Sequence, residues 1–342
     1  MTTNISLQAK MDKATFDRFL ELAVYATDAT SIPLKLFALY IVICYTSKRM
    51  HQVSLLILNE MLWNLLANLL YCLGNMIPMM PLQCFKFEGP ASYLMDAEFG
   101  GHLFLKLLFL IVTQCGVAIV LSFQFRYLAI CHSEKVKSVH PACGYVYCIS
   151  LHLLFSAFYL FTIQQWEISL HDYPNQAEID GKALFCYAPN GTNKTLFLFG
   201  LFAIFTVFLI IAVTPLVLSF FHLKKQEAFL HKTTLKMQRK ILWNLIKLAA
   251  VPVLMGGFPI LIGSVFTYYT HWHGAREIFG VLMIVMLNHG SVYGIVTLCL
   301  FSDYRKAVKR TLARVGWKSS SVYVTSAATI TGPVRINVVK VK

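Results

Sequence analysis

The sequence predicts an all-α membrane protein, a bundle of seven transmembrane helices with the N-terminus outside the cell and the C-terminus in the cytoplasm. Three observations lead to this fold class. Of the 342 residues, 57% are hydrophobic and only 13% are charged, whereas soluble domains have about 25% charged residues. Seven apolar segments are each long enough to cross a bilayer, which takes about 20 residues. Finally, basic residues collect in alternate loops between those segments.

The apolar segments divide the chain into three parts. They cover residues 26–46, 53–77, 101–128, 142–164, 196–221, 241–268 and 276–300. We therefore expect an extracellular segment over residues 1–25, a transmembrane domain over residues 26–301 and a cytoplasmic tail over residues 302–342. The N-terminal segment is too short for a ligand-binding ectodomain, so a ligand has to reach the bundle itself. The tail begins with a basic amphipathic stretch that is typical of a short helix on the inner leaflet, and residues 318–342 are predicted to be disordered.

The loop charges set the predicted orientation. With the N-terminus outside, the cytoplasmic segments have twenty Lys and Arg residues and three acids, whereas the external segments have seven Lys and Arg residues and about a dozen acids. This asymmetry follows the positive-inside rule, so the net charge of +14 indicates membrane orientation rather than a nucleic-acid partner. Three N-glycosylation sequons, which begin at Asn4, Asn190 and Asn193, all fall on the external side.

Two cysteines differ from the rest in their location. Cys84 and Cys186 fall in predicted external loops, whereas the other seven lie in spans or at cytoplasmic ends. Disulfides form in the oxidising extracellular compartment. The pair therefore predicts a disulfide that ties the loop after the second span to the long loop before the fifth. The alternative is two free thiols.

Polar residues inside the spans indicate contacts between helices, because polar groups in lipid need partners. In the second span, Glu60, Asn64 and Asn68 recur at intervals of four residues and share one helical face. We expect Asn68 to belong to a polar network with Asn288 and His289 of the seventh span. For Glu60, a switch role, a structural hydrogen bond and an interfacial location are all open.

The outer half of the third span presents a candidate ligand face. His102, Lys106, Phe109 and Thr113 recur at helical spacing, and we expect them to line a pocket for a small molecule. The alternatives are that Lys106 extends to the outer headgroups and that His102 caps the interface. Lys35, near the outer end of the first span, is also expected to reach the headgroups.

The sixth span contains a predicted hinge. Pro252 and Pro259 flank Gly256 and Gly257. Proline removes a backbone donor and kinks a helix, and glycine adds conformational freedom.

In the preceding part of the chain, His152 of the fourth span is expected to be a hydrogen-bonded core residue.

Motifs of enzymes are missing from the sequence. The chain has no nucleotide-binding loop, HExxH motif, CxxC pair or nucleophile elbow, so we predict neither an enzyme nor a bound metal or cofactor. A ligand-gated seven-span channel and a secondary transporter are alternatives. The loop charges and sequons oppose a channel with its N-terminus inside, and the lack of an internal repeat opposes a transporter built from duplicated halves.

Six short motifs occur in a characteristic order. They are similar to T-P-x-x-M at residues 46–50, L-N-x-x-x-W at 58–63, E-N-R-Y at 124–127, L-Q-R-K at 237–240 with the two prolines after it, H-G at 289–290 and P-Y-R at 303–305. As an ordered set, they resemble the nematode serpentine chemoreceptors, class H of the Str superfamily. The resemblance covers residues 40–305.

The resemblance implies a G-protein-coupled chemosensory receptor for odorant-like or taste-like molecules. Such a receptor lies in the plasma membrane, in the cilia of sensory neurons, and binds a small molecule in the outer half of the bundle. A heterotrimeric G protein is its cytoplasmic partner. Arg126 and Tyr127, at the cytoplasmic end of the third span, match the position where seven-helix receptors keep a coupling arginine.

Two acids of the family pattern are amides in this chain, at Asn68 and Gln124. Arg126 would therefore lack a neighbouring carboxylate that holds it in the resting state. Removal of one partner from a partly buried charge pair can shift a two-state bundle by a few kcal/mol. On this basis we expect a receptor that either signals without ligand or is held at rest by a different contact, and we expect Gln124→Glu to lower any ligand-free signalling.

Overall fold

The protein is built from long helices. The structure is a computed structural model that describes residues 2–47, 50–174, 183–225, 227 and 232–314. Within these residues the membrane-length helices are α1 Thr2–Tyr45, α2 His51–Gly74, α3 Ala97–Cys131, α4 Pro141–Trp166, α5 Thr192–Lys225, α6 Lys232–Tyr268 and α7 Ala275–Leu300. All seven are long and apolar enough to cross a bilayer. The predicted seven-helix transmembrane bundle is therefore confirmed.

The first helix is longer than the first apolar segment. α1 begins at Thr2, well before the apolar segment that starts at residue 26. The helix therefore crosses the predicted boundary between the N-terminal segment and the bundle without interruption. Lys35 lies ten residues before the end of α1 at Tyr45, well inside the first span.

A turn of π-helix interrupts α6. Regular α-helix covers Lys232–Pro252 and Phe258–Tyr268, and the turn between them is Val253–Gly257. The break falls here because Pro259 has no N–H to donate to the preceding turn and the two glycines have low helix propensity. Since π-turns and prolines both bend helices, α6 has a discontinuity where the sequence predicts a hinge. Motion about this point is still a prediction.

A small sheet closes one end of the bundle, which we call the sheet end. Its strands are β1 Met76–Pro78, β2 Cys84–Phe87, β3 Glu167–Ile168 and β4 Leu184–Tyr187. They pair antiparallel in the order β1-β2-β4-β3. Cys84 of β2 faces Cys186 of β4, and the two form the predicted disulfide. The loop after α2 and the loop before α5 are therefore joined both by strand pairing and by a covalent bond.

The opposite end of the bundle, which we call the tail end, carries one further helix. α8, Ser302–Arg314, follows α7 directly. Its Tyr304 is fully buried, and the Tyr304 hydroxyl lies 3.0 Å from Oγ1 of Thr46 at the end of α1. The predicted helix after the seventh span is therefore present and is anchored to the bundle. The segment over residues 318–342, for which we predicted disorder, lies outside the described residues.

The helices differ in how much of their apolar surface they bury. α4 and α5 bury a smaller share than α1, α3 or α7, and Leu153 and Phe199 are 64% and 75% exposed. Extended apolar surface of this kind is unfavourable in water, so these faces of α4 and α5 contact lipid chains. On α4, His152 forms a hydrogen bond with Gln114 of α3, as predicted for this histidine.

Cys84→Ser is expected to destabilise the sheet end. The disulfide joins residues 102 positions apart, and loss of a native disulfide typically costs about 2–5 kcal/mol. The variant should unfold at a lower temperature. After denaturation without reductant, Cys186 should react with a thiol probe in the variant and not in the wild type. Cys143→Ser, at an exposed free cysteine, is the matched control, and an unreactive Cys186 in Cys84→Ser would contradict the pairing.

Candidate ligand-binding site

An apolar cavity of about 110 Å³ lies inside the bundle beneath the sheet. We call it the upper cavity. Its walls come from α2 through α7 and from β2, with large contributions from Tyr71, Phe85, Phe109, Trp166 and Phe279. A cavity of about 150 Å³ lined by apolar side chains can hold benzene. The upper cavity therefore suits a small apolar molecule.

Among the described residues, the walls of the upper cavity contain no charged side chain. The hydroxyls of Ser264 and Thr267 each donate to a backbone carbonyl of α6, at 2.8 Å. His289 donates from Nδ1 to the carbonyl of Met286 at 2.7 Å, so Nε2 is the ring nitrogen left for another partner. Burial of a charge without a partner is strongly unfavourable. The walls therefore favour an uncharged ligand.

The sheet forms the roof of the upper cavity and is tied to the helices around it. Gln83 Nε2 donates to the carbonyl of Thr267 in α6 at 2.7 Å. Arg276 Nε, at the start of α7, donates to the carbonyl of Pro78 in β1 at 3.2 Å. The roof is thereby linked to two of the helices that line the cavity.

A second apolar cavity, of about 130 Å³, lies closer to the tail end between α3, α5 and α6. We call it the lower cavity. It shares six wall residues with the upper cavity, namely Phe109, Val112, Leu201, Gly256, Ile260 and His289. Gly256 belongs to the π-turn of α6. The break in α6 therefore borders both cavities.

The structure divides the predicted ligand face of α3 into two parts. Phe109 lines both cavities, and Thr113 lines the lower one while its hydroxyl donates to the carbonyl of Phe109 at 2.9 Å. Lys106 forms an ion pair with Glu167 of β3. His102 Nδ1 lies 3.5 Å from the same carboxylate without hydrogen-bond alignment. His102 and Lys106 therefore face the sheet and are not part of either cavity wall.

Tyr187 of β4 belongs to the same side of the roof. Burial raises the pKa of Tyr187 well above its ordinary value, and the nearby Glu167 carboxylate raises it further. The Tyr187 ring is fully buried and lies 4.6 Å from the Trp166 ring, measured between centroids. The phenol is therefore neutral and packs as part of the roof.

Lys35 is the centre of a buried polar network, and the prediction that it reaches the headgroups is wrong. It is 2% exposed. Its Nζ donates to Asn68 Oδ1 at 2.6 Å, to the carbonyl of Leu287 at 3.4 Å and to that of Asn64 at 3.5 Å. Lys35 does not reach the headgroups because its side chain points toward α2 and α7, whose oxygens bind it. Asn68 in turn donates to Ser31 Oγ at 2.8 Å, so α1, α2 and α7 meet at this point.

Asn288 and His289, predicted to share a network with Asn68, have other hydrogen-bond partners in the part of the chain that the structure describes. Asn288 donates to the carbonyl of Ile284 at 2.9 Å, within α7. His289 bonds within α7 as well and lines the two cavities. The contribution of α7 to the network is instead a backbone carbonyl.

Gly290 permits the close approach of these three helices. A Cβ at this position would lie 2.7 Å from Lys35 Cε and 2.9 Å from Asn64 Oδ1, so a larger residue would displace both side chains. Asn64 also donates to Glu60 Oε1 at 3.0 Å, and Glu60 is 1% exposed. Glu60 therefore makes the structural hydrogen bond that was one of its three alternatives, and a switch role stays a prediction.

At the tail end, Arg126 of α3 contacts α6. Its Nη2 donates to Oε1 of Gln238. Gln124 faces α4 instead, where it accepts a hydrogen bond from the hydroxyl of Tyr147 at 2.8 Å. Residues two positions apart on a helix point in different directions. The expectation that position 124 sits beside Arg126 is therefore wrong, and Gln238 supplies the acceptor.

The sequence contained a signal for the buried contacts of Lys35 and none for the contact between Arg126 and Gln238. Asp28, Ser31 and Lys35 recur at helical spacing, which places three polar residues on one face of α1. Gln238 lies in a basic stretch where no periodicity distinguishes it.

Tyr127, predicted to act with Arg126, has its hydroxyl 3.3 Å from the ring of the histidine just after α3.

A membrane bundle that encloses an apolar cavity at one end and ties α3 to α6 at the other has the organisation of a seven-helix receptor. A family model described as serpentine type 7TM GPCR chemoreceptor Srh matches residues 15–314. The chain therefore belongs to this family of multi-pass membrane chemoreceptors, and the resemblance to the class H group is confirmed. No curated protein matches the chain.

Lys35→Met is expected to destabilise the bundle. The substitution removes the ammonium donor from three oxygen acceptors, and a hydrogen bond to a charged group contributes about 1.5–3 kcal/mol. Thermal unfolding of the purified protein should therefore occur at a clearly lower temperature. Lys86→Met is the control, because the Lys86 side chain is 40% exposed. Equal unfolding temperatures for the two variants would show that the buried ammonium does not stabilise the bundle.

Proposed function

We propose that this chemoreceptor binds a small uncharged molecule in the upper cavity and activates a heterotrimeric G protein through its tail end. The observation that carries the proposal is the course of α6. On one side of the π-turn, Pro259 and Ser264 line the upper cavity. On the other side, Gln238 holds Arg126. A single helix with a break in the middle therefore connects the cavity with the proposed coupling arginine.

The proposed mechanism is a shift between two positions of α6. In the resting position, the bond between Arg126 and Gln238 holds the tail end of α6 against α3. A ligand that contacts the upper segment of α6 favours the position in which the lower segment swings outward about Pro252 and Pro259. This swing breaks the bond and exposes Arg126 and Tyr127 to the G protein. The ligand acts only through its different affinities for the two positions.

Phe109 is the residue of the predicted ligand face to which we assign ligand contact, with Thr113 below it. We assign His102 and Lys106 a positioning role, because both meet Glu167, which begins β3. In this role they hold the edge of the roof over the cavity.

We place the sheet end outside the cell and the tail end in the cytoplasm. The loop charges support this orientation, and so does the exposure of Asn190 and Asn193 at the sheet end, where both are open to glycosylation. The side chain of Asn4 lies outside the described part of the structure. By family resemblance, we propose the ciliary membrane of sensory neurons as the location.

Gln238→Ala is expected to raise ligand-free signalling. It removes the acceptor that holds Arg126, and a hydrogen bond to a charged group is worth enough to shift the resting equilibrium by about tenfold. Gln238→Glu should lower ligand-free signalling, because a carboxylate accepts more strongly from a guanidinium. Nucleotide exchange on a G protein in membranes containing each variant measures both effects at equal receptor density.

Gln124→Glu is the matched control for these variants. It introduces the same carboxylate on α3, but on the face that meets Tyr147, so we now expect little change in ligand-free signalling. A larger effect of Gln124→Glu than of Gln238→Glu would contradict the role of Gln238. Equal signalling in all three variants and the wild type would contradict the proposed mechanism.

The proposed orientation predicts the outcome of two accessibility measurements in intact cells. An antibody should reach a C-terminal tag only after the membrane is permeabilised. A glycosidase should increase the electrophoretic mobility of the wild type and have no effect on a variant with Asn4→Gln, Asn190→Gln and Asn193→Gln. A tag that is accessible on intact cells would overturn the orientation and favour the ligand-gated channel.

A further inference from the structure

The space between the two cavities is open at one residue of α6. A Cβ added at Gly256 would meet no atom within 4 Å. The adjacent Gly257 differs, because its Cβ would lie 2.2 Å from Cε2 of Phe205. Gly256 lines both cavities. The absence of a side chain at this one position of the π-turn therefore leaves room where the upper and lower cavities adjoin.

The chemistry at this boundary is that of one hydrogen-bond acceptor in apolar surroundings. Within the described residues, the walls of the lower cavity contain no charged side chain, and the hydroxyl of Thr113 is already bonded. His289 lines both cavities, and its Nδ1 donates to a carbonyl, which can only accept. A neutral imidazole that donates from Nδ1 presents Nε2 as an acceptor. A ligand at the boundary should therefore supply a hydrogen-bond donor.

We propose that the upper and lower cavities together form one elongated site for a neutral, unbranched aliphatic alcohol with its hydroxyl near the middle of the chain. The hydroxyl donates to His289 Nε2. One hydrocarbon arm occupies the upper cavity, and the other passes Gly256 into the lower cavity. This inference rests on the proposed function and specifies its ligand class. Such a molecule would contact α6 on both sides of its break.

Isomers of nonanol test the position of the hydroxyl. The isomer with the hydroxyl on the central carbon and the primary alcohol have the same atoms and nearly the same apolar area. Binding is measured by titrating each alcohol against the full chain in lipid nanodiscs. The readout is the alcohol concentration that gives half of the maximal rise in unfolding temperature, and it needs no G protein. The central isomer should act at about fivefold lower concentration, the gain expected for one additional hydrogen bond. In His289→Phe this preference should disappear.

Gly256→Leu tests whether the two cavities act as one site. The added side chain should block the lower arm, and each methylene that is no longer buried weakens binding about fourfold. Central nonanol should therefore bind at least about tenfold more weakly, whereas the central isomer of pentanol should lose much less affinity because its arms are only about two carbons long and hardly extend past Gly256. Gly144→Leu is the matched control, because a Cβ at Gly144 also meets nothing within 4 Å and Gly144 lines neither cavity.

Three results would overturn this proposal. The first is equal or tighter binding of the primary alcohol to the wild type. The second is an equal effect of Gly256→Leu on both alcohol lengths, or no effect on either. The third is a lack of stabilisation by any of these alcohols. None of these results bears on G-protein coupling, which the Gln238 variants measure without ligand, so a failure of either proposal is distinguishable from a failure of the other.

Discussion

The architecture depends on the requirement that a buried ammonium be hydrogen-bonded. Inside a membrane protein an ammonium without partners is too unfavourable to persist, and Lys35 meets this requirement with oxygens from α2 and α7. The glycine at position 290 lets the helices come close enough for these bonds. α1, α2 and α7 are thereby held together as a frame. α4 and α5 have large lipid-facing surfaces and α6 has a π-turn, and among the described residues none of these three helices supplies an oxygen to Lys35.

The apolar character of the proposed ligand site limits how the protein could distinguish ligands. One methylene more or less in an apolar pocket changes affinity by only about 1–3 kcal/mol, whereas an unpaired polar group is rejected much more strongly. A site with apolar walls and a single free ring nitrogen therefore accepts a series of related molecules with graded affinity. Ionic compounds should be excluded from the site strongly, and molecules that differ by one methylene should be distinguished only weakly. This property suits a sensor of chemical classes.

The sequence predicted those features that depend on local or compositional rules. The length of the apolar segments located the spans, and the prolines located the break in α6. The disulfide between Cys84 and Cys186 was predicted because both fall in external loops. Features that depend on how helices rotate against each other were predicted poorly. The prediction for Lys35 failed because the sequence does not show which side of α1 meets α2 and α7, and the acceptor for Arg126 could not be chosen without knowing which side of α3 meets α6. The two-part cavity depends on the orientation of many side chains at once and has no counterpart in a linear pattern.

In the proposed orientation and mechanism, the amide of Gln238 has a consequence for how the resting state responds to the pH of the cytoplasm. A partly buried carboxylate in this position could take up a proton when the cytoplasm acidifies, and its hold on the guanidinium would weaken. A carboxamide has no such proton to gain, and arginine keeps its charge throughout the physiological range. The hydrogen bond between Arg126 of α3 and Gln238 of α6 therefore does not weaken when the surrounding pH falls. In the proposed mechanism, the resting state would therefore keep the same baseline when the pH at the tail end changes.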